Sequence, residues 1–312
     1  MDVSVPAEFA LGAYKDNVGA MRNQGVEASL SYTRKFGNDW RLNVGGNFAY
    51  NKNKVLSLGD LGVDASGNPV DYIEAGDANH RNAIGRQFNS YYMYHWTGKF
   101  FKSQQEADDY TAKYGNPFGH KFMAGDLIYA DTDGDGKLTD KDRVYEKNTD
   151  MPAITYSFNI GGSWKDFDIS TLWQGAAKVS HIFNREVLGE FVGDSGHPST
   201  YWKKSWTEEN QNAKMPRVFE TGTSASDMTV CMSDFWLWNT SYLRLKTLQV
   251  GYSLPKSLVR RLGLEKVRIY YSGENLLTID HLGFKIDPEA TSERGSSYPL
   301  LRSHSIGFNI EF

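Results

Sequence analysis

The densest chemistry in the sequence lies between Asp131 and Asp142, which reads Asp-Thr-Asp-Gly-Asp-Gly-Lys-Leu-Thr-Asp-Lys-Asp. It fits the D-x-[DN]-x-[DN]-G pattern of a calcium loop. Carboxylates at alternate positions, Asp131, Asp133 and Asp135, converge on a hard cation when the chain turns sharply, and Gly136 permits that turn. Lys137 offers its backbone carbonyl, and Thr139 a direct or water-bridged oxygen. Position twelve is Asp142, shorter than the usual bidentate Glu, so a weaker or rearranged Ca2+ site is expected. The preceding Gly125-Asp126-Leu127-Ile128-Tyr129-Ala130 reads as extended chain, so a full helix–loop–helix hand is not expected. Without metal the same residues form an acidic turn. Either way, the expected role is to stiffen a loop, not to catalyse.

Other chemistry is sparse. Gly193-Asp194-Ser195-Gly196 matches the GDSG around a serine-protease nucleophile, but His197 stands where glycine is expected. A nucleophile also needs a base oriented by a third group, and none is apparent. The segment reads as coincidence in a Gly-rich loop. The histidines are scattered, with no H-E-x-x-H, and no P-loop is present. No catalytic residue is expected. Tyr201, Trp202, Trp206, Trp236 and Trp238 fall in or just after a long loop. Packing or partner contact is the favoured reading for them, over direct contact with a sugar or peptide.

The elements that must carry these loops alternate with a period of two. Val26, Ala28, Leu30 and Tyr32 oppose Glu27, Ser29, Ser31 and Thr33; after a turn at Gly37-Asn38-Asp39, Trp40, Leu42, Val44, Phe48 and Tyr50 oppose Arg41, Asn43, Asn47 and Asn51. This predicts a hairpin with aromatics near its strand ends, as at a membrane interface. Residues 89–101 form a densely aromatic strand candidate, and Gln104 to Tyr114 has the composition of a short helix. Residues 153–164 and 167–174 alternate around a tight Lys165-Asp166 turn. Residues 242–254 alternate with Arg244 and Lys246 placed on the side of Leu248, Val250 and Tyr252, which suits an interfacial position. Residues 267–277 and 300–312 finish the chain. In the last, Ile306, Phe308, Ile310 and Phe312 form one apolar face.

About eight to ten strands, joined alternately by short turns and long loops, describe an all-β fold: part of a larger antiparallel transmembrane β-barrel. The alternative is a calcium-stabilised soluble or surface β-domain that binds carbohydrate. The composition suits the barrel. Aromatics are 14% of the 312 residues and the net charge is -4, which argues against broad nucleic-acid binding. A mean hydropathy of -0.53 excludes a bundle of spanning helices but not a barrel, whose strands are half polar. The first ten residues lack a basic n-region and an apolar h-region. The single Cys231 says little about compartment.

Five segments together resemble one family, the SusC/RagA-type TonB-dependent outer-membrane receptors. Asn17 to Glu27 (NVGAMRNQGVE) is similar to the NxGxxxNxGxE with which their barrel begins. Ala124-Gly125-Asp126 leading into the acidic loop is similar to their GDxxYxDxxGDG. Trp206 to Arg217 (WTEENQNAKMPR) resembles WTPENPNAxxPR. Residues 242–255 and 267–278 resemble two late barrel segments, and Phe312 resembles the terminal signal. The resemblance implies an outer-membrane location, contact with outer-membrane lipid, and import of glycan oligosaccharides or peptides. It also implies a SusD-like surface lipoprotein as partner and a TonB complex acting on an N-terminal plug. Residues 1–312 resemble only the C-terminal barrel part, with no plug. One edge of the closing strand is therefore expected to lie unpaired.

Overall fold

A computed structural model of the chain describes residues 2–3, 14–15, 17–64, 67–75, 79–183, 200–218, 232–283, 286–290 and 298–312. Seven long strands carry the architecture: β1 (Gly19–Phe36), β2 (Trp40–Leu58), β3 (Ile154–Trp164), β4 (Phe167–Ala177), β5 (Tyr242–Ser253), β6 (Lys266–Asp280) and β7 (Ser303–Glu311). They form one sheet whose spatial order is the order of the chain. The pairings from β2 to β7 are antiparallel throughout. Short connections lie at one end. Gly37-Asn38-Asp39 joins β1 to β2, with Gly37 at φ 62°, and Lys165-Asp166 joins β3 to β4, with Lys165 at φ 53°. The left-handed backbone there matches the twist of the flanking strands. The connections after β2, β4 and β6 are long. Among the described residues, β7 pairs only with β6 and β1 only with β2, so the sheet has two open edges.

Directly paired residues share a face, so the register defines both faces. One row runs Trp40, Trp164, Phe167, Tyr252, Ile269, Phe308 across six strands. It is apolar throughout and it faces outward: Trp40 is 56% and Phe308 63% exposed. A water-soluble sheet would bury such a face. The next row on the opposite face runs Arg41, Ser163, Asp168, Gly251, Tyr270, Gly307.

One expectation on β5 is corrected. Arg244 does not share a side with Leu248, Val250 and Tyr252. Leu172 pairs with Thr247 but Trp173 pairs with Leu245, so Lys246 is an extra residue. A bulge of one residue flips every side chain beyond it. Arg244 therefore opposes Gln174 and Thr278 on the polar face, where it is 2% exposed.

The chain divides into two compact units. One comprises Met1–Gln24, Lys52–Asp150 and Ile182–Leu237; the other comprises Gly25–Asn51, Met151–His181 and Trp238–Phe312 and holds most of the sheet. The first unit has a conventional aromatic core. Helix α1 (Gln104–Tyr114) starts where the Ser103 hydroxyl accepts the Glu106 N–H and stops at Gly115, φ 82°. Its Tyr110 packs 5.2 Å from Phe101 and 5.7 Å from Phe122. Phe101, Phe122 and Leu127 are fully buried. Residues 89–101 are not one strand. They split into Ser90–Tyr94, paired with Arg143–Tyr145, and Trp96–Phe100, paired with Leu127–Tyr129. The break is at His95, whose ring is tied to Asp234. Tyr91, Met93 and Tyr94 there are core, 1–2% exposed.

The polar face depends on glycine at one crossing. Arg268 of β6 reaches over Gly251 of β5 to Asp168 of β4, with Nε–Oδ1 at 2.9 Å and Nη2–Oδ2 at 2.5 Å. A Cβ at Gly251 would overlap the guanidinium. Gly251→Val is expected to displace Arg268 and destabilise the sheet by roughly 1–3 kcal/mol. Thermal unfolding in detergent checks this. Arg268→Met should then cost little in the Gly251→Val background, and strict additivity of the two changes would refute the crossing.

Candidate functional site

The acidic loop sits in the first unit, between Leu127–Tyr129 and Arg143–Tyr145. Two glycines at positive φ, Gly134 (75°) and Gly136 (79°), let it coil on itself. Asp131 accepts the N–H groups of Gly134 (2.7 Å) and Gly136 (2.9 Å) on separate oxygens. Asp142 accepts the N–H of Thr132 on one oxygen and that of Thr139 on the other, both at 2.7 Å, and is fully buried. One carboxylate oxygen from each of Asp131, Asp133 and Asp142 lies within 4.8 Å of the others. Asp135 is outside this group; its carboxylate accepts the Lys137 N–H at 2.8 Å. The Thr139 hydroxyl accepts from Lys141 N–H and begins a short turn over Asp140–Asp142. Leu138, 3% exposed, pins the loop to α1 by donating its N–H to the Tyr114 carbonyl. Burial pushes the Tyr110 phenol up, and Tyr114, Asp142 and Asp131 add to that.

Two segments far apart in sequence meet beside this loop. Gly125 donates its N–H to the Phe101 carbonyl (2.7 Å) and accepts the Arg217 N–H (3.0 Å). Asp126, fully buried, accepts Arg217 Nε at 2.8 Å and Met123 N–H at 2.9 Å. Gly125 has φ 87°, and a Cβ there would stand 2.5 Å from the Trp206 ring. The position therefore excludes any side chain twice over. Trp202, Trp206 and Trp236 are 6%, 7% and 1% exposed, so these aromatics pack inward as expected. Trp238 is half-buried. The Gly193–Gly196 segment, Cys231 and the Tyr201 side chain lie outside the described residues.

A third cluster carries no signature in the sequence. Asp234 accepts the Trp96 N–H (2.8 Å) on one oxygen and meets His95 Nδ1 (2.6 Å) on the other. Burial pushes the nearby Glu146 carboxyl up, Asp234 adds to this, and His95 opposes it.

On the sheet, the polar face pairs Arg244 and Arg268 with carboxylates. Arg244 donates to Asp287 (2.5 Å), Glu289 (2.6 Å) and Thr278 (3.1 Å), pinning residues 286–290 to the strands. Arg268 is held by Asp168 and, at 3.1 Å, Gln249. A hollow of about 780 Å³ reaches Glu289 and is lined by Asn47, Thr155, Ser157 and Gln174 together with the apolar Phe48 and Leu172. Such a wall offers amide and hydroxyl hydrogen bonds to a passing solute. The acids at 287 and 289 were the available signal for Arg244, but the bulge hid it.

Asp126→Ala is expected to strand the Arg217 guanidinium and open this junction, at about 3–5 kcal/mol for a broken buried pair. Proteolysis between Trp206 and Arg217 should accelerate accordingly, and an unchanged rate would contradict the pairing. For Glu146, the raised folded value means that stability present below the unfolded carboxylate range is lost as pH rises through the folded value. Glu146→Gln should therefore slow hydrogen exchange of the Glu146 amide, bonded to Tyr91 O at 2.9 Å, at neutral pH. Below about pH 4 the variant and wild type should coincide.

No protein-family model matches the chain. It is 28% identical to TonB-dependent receptor P3 of Formosa agariphila, over 99% of this chain and 30% of that protein. It is 24% identical to TonB-dependent receptor SusC of Bacteroides thetaiotaomicron, over 95% of this chain and 27% of that protein. The chain thus spans less than a third of the length of these relatives. All of it superposes on 32% of a chain in the RagAB peptide transporter, with a TM-score of 0.72 at 23% identity. The open-open state of the RagAB peptide importer gives 0.73 at 24%, over 100% of this chain and 31% of that one. Over nearly its whole length the chain is a homologue of SusC/RagA-type TonB-dependent receptors, and its sheet has the fold of part of their barrel.

Proposed function

We propose that the chain forms the C-terminal part of the wall of an outer-membrane TonB-dependent transporter. Its cargo would be glycan oligosaccharides or peptides, received from a SusD-like surface lipoprotein. The observation that carries this reading is the seven-stranded meander with one exposed apolar face and one polar face. Hydrocarbon on one side and a wet lumen on the other account for both faces. The long connections fall at the opposite end from the hairpin turns, where a lidding partner would be met. TonB would act through a plug domain that these residues do not supply. The likeness to a peptide transporter supports the class of cargo without choosing between the two.

The Asp131–Asp142 loop is proposed to bind Ca2+ as a brace. Asp131, Asp133 and Asp142 would supply carboxylates, with Asp135, the Lys137 carbonyl and Thr139 completing the set. The closeness of the three carboxylates supports this reading, since a cation among them would offset their mutual repulsion.

Fractionation of the native cells tests the transporter reading. The protein should be extracted from the outer membrane by detergent together with a surface lipoprotein; recovery from the cytosol as a soluble monomer would sink the idea. For the brace, Ca2+ at a hundredfold excess over its Kd should protect the Gly134, Gly136 and Thr139 amides by about 2.7 kcal/mol of opening free energy. Asp131→Asn should abolish that protection, and equal exchange with and without Ca2+ in the wild type would remove the metal from the proposal.

A further inference from the structure

The apolar face of the sheet is not even. Its second row from the turns runs Leu42, Gly162, Ile169, Val250, and Gly162 leaves a gap between Leu42 and Ile169. Along β3 the gap is flanked by Trp164 on the turn side and Ile160 on the other. A groove of about 640 Å³ opens there. Trp40 and Trp164 stack at 5.5 Å and form its turn-side wall.

Charge gathers at that same end. Lys165 sets its ammonium 5.2 Å from the Trp164 ring centre, and Arg34 lies 5.0 Å over Phe36. A polar hollow of about 590 Å³ at the turns is lined by Lys35, Asp39, Arg41, Lys165 and Asp166, and it shares Trp40, Arg41 and Ser163 with the groove. Neither Lys165 nor Arg34 has an ion-pair partner among the described residues. An apolar slot beside a hollow holding both cations and carboxylates is complementary to an amphiphile whose head carries both signs.

We propose that this is a binding site for one zwitterionic phospholipid with a primary amine. An acyl chain fills the groove at Gly162. The phosphate takes charge-assisted hydrogen bonds from Lys165 and its neighbouring cations, and the ammonium donates to Asp39 and Asp166. The proposal rests on the membrane reading above. Asp39 and Asp166 supply acceptors that only a head carrying a cation can use, which sets an amine-bearing phospholipid ahead of a purely anionic one.

The test uses the native receptor, extracted in mild detergent and placed in nanodiscs of phosphatidylethanolamine or phosphatidylglycerol. Tightly retained phospholipid is counted by native mass spectrometry. The wild type should retain phosphatidylethanolamine. Ile160→Trp, which fills the groove without touching the backbone at Gly162, should lose it. Lys165→Glu should weaken retention by about tenfold, the loss of one charge-assisted hydrogen bond. Equal retention by wild type and both variants, or a preference for phosphatidylglycerol, overturns the site. A receptor recovered from the soluble fraction would instead overturn the membrane reading on which it stands.

Discussion

A strand in hydrocarbon has no water to satisfy its N–H and C=O groups, so each must pair with the next strand. In this chain a meander meets that constraint inside the sheet, where β2 to β6 each pair with both sequence neighbours, while the outer edges of β1 and β7 have no partner among the described residues. Once the register is fixed, alternation is fixed too, and each residue belongs to one of two solvents. The polar face then has to accommodate charge without flooding the wall with it. It does so by pairing Arg244 with Asp287 and Glu289, and Arg268 with Asp168. Both pairs are local responses to where the register puts an arginine.

Glycine makes several of these responses possible. Long side chains on neighbouring strands lie flat only where the strand beside them carries none. Arg268 crosses Gly251, the Tyr270 ring covers Gly307, and the Tyr156 ring covers Gly175. In an ordinary strand glycine weakens pairing, and its presence marks a close approach. The paired arginine and the covering tyrosines occupy the space that a Cβ would take.

The alternation of the strands was legible because one face is apolar and the other is not. Helix α1 was legible from Gln104 to Tyr114 by its composition; the Ser103 cap that starts it came from the structure. The pattern misplaces Arg244 because a bulge costs one residue and leaves no mark in composition; only pairing shows that Lys246 is extra. Residues 89–101 read as a single strand because the break at His95 is set by Asp234, far away in the sequence. The acidic loop was legible as a pattern. That Asp142 is buried and spends both oxygens on backbone N–H groups was not, since those donors, at Thr132 and Thr139, carry no signal of their own. The docking of Gly125-Asp126 on Trp206 and Arg217 was present in the sequence as two separate likenesses, with nothing to say that they touch.

The aromatics then separate into two populations by exposure. On the outward face of the sheet they stay exposed among aliphatic neighbours that recur every second residue, as Phe308 does between Ile306 and Ile310, or they stack on one another, as Trp40 and Trp164 do. In the first unit they also fall at adjacent positions, as Phe100 and Phe101, and both are buried. Adjacent aromatics on an isolated strand would leave one of them on the wrong side. They are tolerated where small sheets and a helix close over both sides of the chain, as Phe101 does against Tyr110 and Phe122. Such a core supplies a rigid base for loop chemistry. Leu138 enters it from the acidic loop, and Tyr110, packed on Phe101, donates its hydroxyl to the Tyr129 carbonyl two residues before Asp131. The carboxylates of that loop are therefore positioned from beneath by burial as well as by their own turns, which is how an irregular segment on long connections can hold three like charges together.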